Sequence, residues 1–421
     1  MVGIGGIGMS ALAQLYHARG ETVSGSDREA SPATELLTKK GIRVHIGEDA
    51  RHVPAATELL VYSDAVPKEN AERATARGAG IPELSYFEAA GKVSKDRFTI
   101  AVAGSHGKTT TTALLEKILH DTGYDPTAIV GSMVKDFGSN FLAGSTEGPF
   151  VIEACEYQNH LLKLSPNILV VTNLEWDHTD YFKDFDALKK TFRQAIFSLP
   201  ADGVLVTNMS DPVLDELSEH AKCAVVDYAD ASVPELKLLG GFNEMNARAA
   251  KTAAAVFAEG ISEKEIDASL AEFQGTWRRF EHKGQMPRGA AVYDDYAHHP
   301  SEITATLTAI REKFPEKKIV VAFHPHLFSR TRDLMDDFAA SFSAADTVII
   351  APIYAAREEP IEGVTSAVLA EKISAHGVDA QATNSLEQTE GVLHTHDAPG
   401  TLVVTMGAGD IHKIADRLVR R

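Results

Sequence analysis

Short runs of aliphatic and β-branched residues alternate along the chain with longer amphipathic stretches. This alternation is typical of α/β proteins, in which helices connect the strands of mostly parallel sheets. The apolar runs predict strands at residues 22–27, 43–46, 58–62, 98–103, 150–153, 168–172, 203–206, 290–293, 319–323, 347–350 and 402–405. We therefore predict an α/β fold with helices between these strands.

The predicted elements group into three blocks, which contain residues 1–95, 96–283 and 284–421. The chain has 421 residues. This length agrees with three domains, because a domain has on the order of 150 residues. The sequence therefore predicts three domains with boundaries near these positions.

The chain contains 41 Lys and Arg residues and 59 Asp and Glu residues, which gives a formal net charge of −18. This acidic balance argues against nucleic acid as a partner, so bound anions must be held by local groups such as helix N-termini. The two cysteines, Cys155 and Cys223, are too few for a disulfide framework. No apolar run reaches about 20 residues, and the start lacks a signal-peptide pattern. These features predict a cytoplasmic protein that does not bind membranes.

A loop with the sequence GSHGKT follows the predicted strand 98–103 and precedes a predicted helix. Backbone N–H groups in such a loop can point at phosphate oxygens, and the helix N-terminus adds partial positive charge. Lys108 can reach the terminal phosphates, and the Thr109 hydroxyl can bind Mg²⁺. The full phosphate-loop pattern is not met, because Val102 takes the place of its first glycine. The segment predicts a site for ATP or GTP, and an ordinary strand–turn–helix is the alternative.

A second glycine pattern, Gly3-x-Gly5-x-x-Gly8, fits the dinucleotide-binding fingerprint, and Asp27 ends the next predicted strand. Only two residues precede Gly3, so we expect the strand that normally comes before such a loop to be missing. The pattern predicts a site for a nucleotide with a diphosphate, which need not be NAD. A glycine-rich turn without a ligand is the alternative.

Polar residues follow several predicted strands, at the edge of a parallel sheet where ligands bind. Glu153 and His178 lie in two such segments and could hold metal ions beside Thr109, although Asp-His pairs such as 177–178 more often cap helices or face solvent. Two segments, DDYAHHP and HPHLFSRT, follow later strands and predict one wall of a site in the third block. Solvated loop histidines are the alternative for these two segments.

Four segments together resemble the Mur ligase family, the ATP-dependent amide-forming enzymes of peptidoglycan precursor synthesis. They read GIGGIGMS at residues 3–10, AGSHGKTTT at 103–111, DDYAHHP at 294–300 and PHLFSRT at 325–331. The resemblance covers essentially the whole chain. It implies an N-terminal Rossmann-like domain for a UDP-sugar, a central P-loop ATPase-type domain with a mostly parallel sheet, and a C-terminal Rossmann-like domain.

The resemblance also assigns residues to ligands. The UDP-sugar-binding residues that it implies are Gly3, Gly5, Gly6, Gly8, Ser26, Asp27 and Ser63. The implied ATP-binding residues are Gly104, Ser105, His106, Gly107, Lys108, Thr109, Thr110, Asn243, Asn246, Arg279 and Asp295. The implied metal ligands are Thr109, Glu153 and His178, and the implied amino-acid-binding residues are Tyr296, His298 and Arg330. The residues implied to be catalytic are Lys108, His178, His298 and Arg330.

The implied reaction joins L-alanine to the carboxylate of UDP-N-acetylmuramate in two steps. The carboxylate takes the γ-phosphoryl group of ATP to give an acyl phosphate, and the amine of L-alanine then displaces phosphate. ATP and Mg²⁺ are the implied cofactors, because phosphoryl transfer depends on positioning and charge neutralisation. The attacking amine must be neutral, and His298 is a candidate base because an imidazole pKa of about 6.5 suits that task.

Other functions fit parts of the same pattern. A related recycling ligase attaches a whole tripeptide to UDP-N-acetylmuramate, and a folate polyglutamate-type ligase also uses ATP. An NAD-dependent oxidoreductase would use the first glycine loop but leaves Lys108 unexplained. A non-catalytic nucleotide-sugar sensor would bind these ligands without turnover. We expect small-molecule partners and a monomer or weak homodimer.

Overall fold

The computed structural model describes residues 1–356 and 358–419. The chain divides into two compact units. The first unit contains residues 1–174, 188–237 and 245–275, and the second unit contains residues 175–187, 238–244 and 276–421. The domain boundaries that the sequence places after residues 95 and 283 stay predictions.

The first 95 residues form helices around short parallel strands. Their elements are α1 (Ile7–Ala18), β1 (Ser24–Asp27), α2 (Pro32–Lys39), β2 (Arg43–Ile46), β3 (Leu60–Tyr62), α3 (Ala71–Gly78), β4 (Glu83–Ser85) and α4 (Tyr86–Lys95). Strand β1 pairs with β2 and β3 pairs with β4, each in parallel. Val2 forms one parallel bridge to Ser26 and another to Tyr62. The expected strand before the glycine loop is thus reduced to single bridges at Val2, which lie between Ser26 of β1 and Tyr62 of β3. The glycine loop leads from Val2 into α1.

The middle of the chain forms a sheet with the strand order β11-β10-β9-β5-β8-β6-β7. Its elements are β5 (Thr99–Ala103), α5 (Lys108–Asp121), β6 (Thr127–Val134), β7 (Ser139–Leu142), β8 (Phe150–Glu153), β9 (Ile168–Val171), α6 (Phe185–Phe197), β10 (Val204–Thr207), α7 (Pro212–Ser218), β11 (Ala224–Asp227), α8 (Gly241–Phe257) and α9 (Glu263–Glu272). Neighbouring strands are parallel except β6 and β7. Strand β5 runs between β8 and β9, so the ends of these two strands lie on either side of the loop that follows β5.

The last part of the chain forms a sheet with the strand order β12-β13-β17-β14-β15-β16. Its elements are β12 (Glu281–Gln285), β13 (Ala291–Asp295), α10 (Pro300–Lys313), β14 (Lys318–Phe323), α11 (Phe328–Asp333), α12 (Met335–Ala340), β15 (Thr347–Ile350), α13 (Ser366–Ala375), β16 (Asp379–Ala382), α14 (Leu386–Thr395), β17 (Thr401–Met406) and α15 (His412–Leu418). Strand β12 is antiparallel to β13, and the other pairs are parallel.

Strand β14 shows why the sequences of the predicted strands are continuous apolar runs rather than alternating apolar and polar residues. Ile319, Val321 and Phe323 pack in a hydrophobic cluster with residues of α10, α12 and α13. Val320 and Ala322 belong to a different cluster, which includes residues of α14 and α15. Because helices cover both faces of this sheet, successive side chains are buried on alternate faces. The α/β class with mostly parallel sheets is confirmed.

Within the described residues, none of the helices combines the length and the apolar character that a membrane crossing requires.

Candidate active site

The loop between β5 and α5 holds the ammonium group of Lys108 close to its own backbone. Lys108 Nζ donates to the carbonyl oxygens of Gly104 and Ser105, the latter at 2.9 Å, and lies 3.1 Å from Glu156 Oε1. Burial opposes the charge of this ammonium, but the nearby carboxylate of Glu156 outweighs burial and raises the pKa of Lys108 to about 12. Lys108 is therefore a fixed positive charge in the loop at neutral pH.

The residues that follow β9 fix the shape of this loop. Thr172 Oγ1 donates to the carbonyl oxygen of His106 at 2.6 Å. Asn173 Oδ1 accepts the His106 N–H at 2.8 Å, and Asn173 Nδ2 donates to the His106 carbonyl oxygen at 3.0 Å. The backbone carbonyl of Asn173 also accepts the Ser105 N–H at 3.0 Å. The loop backbone is thus held by the neighbouring strand end.

Gly107 occupies a position that only glycine fits. Its φ is +82°, and a Cβ built there would lie 2.2 Å from Asn246 Oδ1. The same Asn246 oxygen accepts a hydrogen bond from Thr111 Oγ1 at 3.4 Å. The Asn246 amide, which was predicted to contact ATP, therefore packs directly against the loop and the first turns of α5.

Helices α1 and α5, which follow the two glycine loops, begin without an N-terminal cap. Their N-cap residues are Gly6 and Gly107, and among the described residues no side-chain hydrogen bond caps the first turn of either helix. Neither first turn carries an acidic residue. Helices α2, α4 and α7, in contrast, are capped by Ser31, Ser85 and Asp211. The N–H groups and the partial positive charge at the starts of α1 and α5 are therefore available to anions.

The residues predicted to bind the UDP-sugar lie together at the start of α1. The Gly5 N–H donates to Asp27 Oδ2 at 2.7 Å, and the Gly3 N–H donates to the carbonyl oxygen of Ser26 at 2.9 Å. Ser63 lies against the loop, because a Cβ at Gly3 would be 3.0 Å from Ser63 Cβ. The Asp27 carboxylate, which the sequence assigns to a ligand, thus accepts a hydrogen bond from the loop itself.

Two of the predicted metal ligands, Thr109 and Glu153, belong to the first unit. Thr109 lies in the first turn of α5 beside Thr110, and both threonines are buried. Glu153 ends β8, the neighbour of β5, and its Oε2 accepts the Gly131 N–H at 2.8 Å. A hydroxyl and a carboxylate are hard oxygen donors of the kind that Mg²⁺ binds, so their chemistry fits this metal.

A buried ion pair lies among the predicted amino-acid-binding residues of the second unit. Arg330 Nε and Nη2 lie 2.9 and 2.8 Å from Asp177 Oδ1, and the two residues are 2% and 4% exposed. Burial raises the pKa of Asp177, but the Arg330 guanidinium outweighs burial and holds this pKa well below its usual range. Arg330, predicted to meet the incoming amino acid, is therefore held in place by a carboxylate that was not predicted.

His298, the predicted base, has a lower pKa than the sequence suggested. Its Nδ1 lies 3.1 Å from the carbonyl oxygen of Tyr296 and 3.3 Å from Glu302 Oε2. Because both partners are acceptors, Nδ1 carries the proton and Nε2 is the free basic nitrogen. Burial lowers the pKa of His298 to about 4, and the Glu302 carboxylate offsets only part of this effect. The ordinary value of about 6.5 that we assumed is thus corrected, and the imidazole is neutral at pH 7.

Asp295 ends β13 and is buried, as is Asp294 before it. Its Oδ1 accepts the Ala297 N–H at 2.8 Å, and its Oδ2 accepts the Phe280 N–H at 2.6 Å. Burial raises the pKa of Asp295 to about 6, although the charge of Arg279 acts in the opposite direction. Arg279 Cζ lies 5.3 Å from the centroid of the Tyr296 ring. The structure therefore brings together Arg279, Asp295 and Tyr296, all of which were predicted to be site residues.

His178 and Asn243, two further predicted site residues, also belong to the second unit. His178 has a positive φ of 52°, and its N–H donates to Asp177 Oδ1 at 2.6 Å. Asn243 Nδ2 donates to the carbonyl oxygen of Leu239 at 2.7 Å. The predicted metal ligands and the predicted ATP-binding asparagines are therefore divided between the two units.

Three family models match successive parts of the chain. The model of the Mur ligase family, catalytic domain, matches residues 1–98, and the Mur ligase middle domain matches residues 102–235. The model of the Mur ligase, glutamate ligase domain, matches residues 278–409. Together these models match well over half of the chain. The chain belongs to the Mur ligase family.

Relatives and solved structures resemble this Mur ligase over its full length. A UDP-N-acetylmuramate–L-alanine ligase of Caldicellulosiruptor saccharolyticus is 37% identical over 100% of this chain and 97% of its own length. The crystal structure of the UDP-N-acetylmuramate–alanine ligase of Thermotoga maritima has a TM-score of 0.81 at 28% identity and covers 99% of this chain and 97% of its own. The crystal structure of a murein peptide ligase from Psychrobacter arcticus has a TM-score of 0.73 at 25% identity, with the same coverage. The family and the three-domain α/β fold expected from the sequence are confirmed.

The structure of this Mur ligase shows three residues beside the predicted ones that the sequence patterns missed. Glu156 contacts Lys108, Asn173 holds the phosphate loop, and Asp177 pairs with Arg330. Glu156, Asn173 and Asp177 all follow predicted strands, so attention to every polar residue after a strand would have found them. The pairing of Asp177 with Arg330 spans 153 positions of the chain and has no local sequence signal.

Proposed function

We propose that this protein joins L-alanine to the carboxylate of UDP-N-acetylmuramate, with ATP as the phosphoryl donor and Mg²⁺ as the metal. The observation that carries the proposal is the 37% identity, over the whole chain, with a ligase of that name. The solved alanine ligase also has a higher TM-score than the solved murein peptide ligase, 0.81 against 0.73. L-alanine is therefore the proposed acceptor in preference to a murein tripeptide.

ATP is proposed to bind with its phosphates at the start of α5. The N–H groups of an uncapped helix start attract the phosphates, and Lys108 adds a fixed positive charge. Thr109 and Glu153 would hold one Mg²⁺ and His178 a second, and bound Mg²⁺ neutralises charge on the phosphates. We also propose that Asn246, Arg279 and the other residues listed above as ATP-binding contact ATP.

UDP-N-acetylmuramate is proposed to bind with its diphosphate at the start of α1. This helix also lacks a cap and a first-turn acid, and the loop before it is shaped by hydrogen bonds to Ser26 and Asp27. The N–H groups of all four loop residues 3–6 already donate within the protein, so the donors proposed for the diphosphate are the N–H groups in the first turn of α1. Gly3, Gly5 and Ser63 are proposed to line the same site.

The proposed chemistry follows from these positions. An oxygen of the muramoyl carboxylate attacks the γ-phosphorus, the bond to ADP breaks, and an acyl phosphate forms. The amine of L-alanine then attacks the acyl carbon, the bond to phosphate breaks, and the amine proton leaves with the phosphate. Arg330 and Tyr296 are proposed to contact the amino acid. His298, with a pKa of about 4, accepts a hydrogen bond from the amine through Nε2 and stays neutral at pH 7.

The test is ADP release with UDP-N-acetylmuramate while the acceptor is varied among L-alanine, glycine, L-serine and the murein tripeptide. We expect the highest kcat/KM with L-alanine, no turnover without UDP-N-acetylmuramate, and no turnover after chelation of Mg²⁺. Mass spectrometry of the product should show one added alanine. A higher kcat/KM with the tripeptide, or tight ligand binding without any ADP release, would overturn the proposal. Lys108→Ala serves as the inactive control.

We also propose that the protein is cytoplasmic, acts on small molecules without a nucleic-acid or membrane partner, and is a monomer or weak homodimer. Its proposed substrates are soluble nucleotides and an amino acid, and its net charge of −18 disfavours a nucleic-acid partner. Sedimentation velocity over a range of protein concentrations tests the oligomeric state. A stable higher oligomer at low concentration would contradict this part of the proposal.

A further inference from the structure

The hydroxyl group of Tyr86 is a polar group that none of the proposed steps uses. Tyr86 is the first residue of α4, and its ring lies against the start of α1. A Cβ built at Gly8 would be 2.7 Å from Tyr86 Cζ and 2.9 Å from the hydroxyl oxygen. Gly8 lies in the first turn of α1, so the absence of a side chain there lets the tyrosine reach the uncapped helix start.

The Tyr86 hydroxyl is a polar group that the described residues leave open to a ligand. The residue is only 9% exposed. Within residues 1–356 and 358–419, no hydrogen bond to this hydroxyl is found. The hydroxyl oxygen is not one of the fully buried polar atoms that lack a partner, so the ring is buried while its polar end reaches the surface. The open position beside α1 therefore points to a partner supplied by a ligand.

The side chain is held rigidly in this place. Ser85 and Glu88 form a reciprocal cap at the start of α4, in which each side chain accepts the backbone N–H of the other residue. The ring of Phe87 meets the ring of Tyr86 edge-on, with centroids 4.6 Å apart, and stacks on His160 at 4.2 Å. The hydroxyl is thus pre-oriented, so a ligand does not have to order it on binding.

The surroundings also keep the hydroxyl protonated. Burial raises the pKa of Tyr86, and the nearby Glu153 carboxylate raises it further. A phenol that keeps its proton is a hydrogen-bond donor, and the start of α1 offers further donors in its first-turn N–H groups. Donors that converge on one place suit an anionic ligand, and the nearby Asp27 carboxylate is already engaged by the Gly5 N–H.

We propose that Tyr86 is a ligand-binding residue whose hydroxyl donates a hydrogen bond to the diphosphate of the UDP-sugar at the start of α1. The identity of this diphosphate rests on the proposed function, whereas the donor arrangement rests on the geometry of Gly8 and Tyr86. The ring of Tyr86 packs against Gly8 in the first turn of α1. Its hydroxyl and the N–H groups of that turn are the donors proposed for the diphosphate.

The test compares Tyr86→Phe, which removes the hydroxyl and keeps the ring, with Tyr124→Phe. Tyr124 follows α5 at the end opposite to its phosphate loop and makes a similar edge-on contact, with Phe257 at 5.6 Å, so it is a matched control. Isothermal titration calorimetry measures the Kd of UDP, UDP-N-acetylmuramate and ATP for each protein. We expect Tyr86→Phe to raise the Kd of both uridine nucleotides about 10- to 100-fold, the loss typical of a hydrogen bond to a charged group. The Kd of ATP and the thermal midpoint should not change.

Each other outcome would overturn the inference. Equal binding of UDP by wild type and Tyr86→Phe shows that the hydroxyl does not contact the diphosphate, even if only UDP-N-acetylmuramate binding weakens. An equal loss of ATP affinity, or a matching loss in Tyr124→Phe, assigns the effect to general structure. If the wild type binds neither uridine nucleotide, the proposed function fails as well. If the wild type binds both and turns over L-alanine but the variant is unchanged, only the role of Tyr86 fails.

Discussion

Breaking the Asp177–Arg330 pair should destabilise the second unit more than replacing both partners. Asp177→Asn leaves the Arg330 guanidinium buried without a counter-charge, and Arg330→Met leaves the Asp177 carboxylate in the same condition. Both residues are at most 4% exposed, so water cannot replace the lost partner. Breaking a buried pair on one side costs about 3–5 kcal/mol, whereas replacing both charges is often close to neutral. We therefore expect each single variant to lose about 3–5 kcal/mol and the double variant to lose less than about 2 kcal/mol.

Tryptophan fluorescence can follow the second unit alone. The chain has two tryptophans, Trp176 and Trp277, and both belong to this unit. Urea unfolding of wild type, the two single variants and the double variant therefore gives the four free energies of unfolding that a double-mutant cycle needs. Single variants within about 1 kcal/mol of wild type would refute the reasoning. So would a double variant as unstable as the sum of the two single variants.

The same pair predicts a pH dependence. The pKa of Asp177 is lower in the folded protein than its usual value of 3.8. Its contribution to stability is therefore fully present above the unfolded value and is lost as the pH falls through the folded value. The stability difference between wild type and Asp177→Asn should stay constant from about pH 8 to pH 5 and shrink below about pH 4. A difference that shrinks near neutral pH would instead indicate a titrating histidine.

Three other buried or strained residues give further predictions. Gly107→Ala should raise the KM for ATP at least about tenfold in steady-state kinetics, because a left-handed alanine costs about 1–2 kcal/mol and its Cβ would meet Asn246. Gly123→Ala, with the same φ of +82° and open space around it, is the control. Glu116→Gln should raise the free energy of unfolding measured by calorimetry at pH 7 but hardly at pH 4. Burial, together with the charge of Asp136, raises the pKa of the Glu116 carboxyl well above 4.5, so the folded state loses stability as the pH rises above the unfolded value. His298→Gln should lower kcat but should not move any midpoint of the pH–rate profile near neutrality, because the pKa of His298 is about 4. If such a midpoint moves, His298 titrates near neutral pH and the reasoning is wrong.

The strands buried on both faces were the easiest elements to predict from the sequence. Phe150–Glu153 and Thr347–Ile350 have the bounds that their apolar runs predicted. The edge strands β12 and β16 were not predicted, because their residues are partly or fully exposed and show no apolar run. The edge strands β7 and β11 were not predicted either, because their apolar runs, residues 141–142 and 224–226, are short. Strand β6 was also missed, since Gly131 interrupts its apolar pattern. An edge strand is specified by the neighbour that it pairs with, and this information is not local in the sequence.

The loop between β5 and α5 was predictable from the sequence, but the residues that support it were not. Its structure was predictable because the strand, the glycines and the helix stand in a fixed local order, whereas the role of Lys108 toward ATP stays a proposal. Glu156 and Asn173 reach the loop because β8 and β9 flank β5 in the sheet, and this strand order cannot be read from hydrophobic periodicity. The pKa of His298 was missed for a similar reason, because burial, which moves it from about 6.5 to about 4, depends on tertiary packing.

The distribution of charge, rather than its total, explains how an acidic protein can bind two polyanionic nucleotides. With a net charge of −18, the long-range field of the chain repels phosphate. Helices α2, α4 and α10 begin with a side-chain cap and a glutamate in the first turn, which satisfies or neutralises the positive end of each helix. Helices α1 and α5 have neither feature, and a glycine stands at the N-cap of each. Helices α11 and α15 also begin without a side-chain cap or a first-turn acid, but their N-cap residues are Leu327 and Ile411 rather than glycine. At the two places where the proposed nucleotides bind, the positive end of the helix is therefore neither capped nor neutralised, and the N-cap glycine leaves room for a phosphate to approach the backbone.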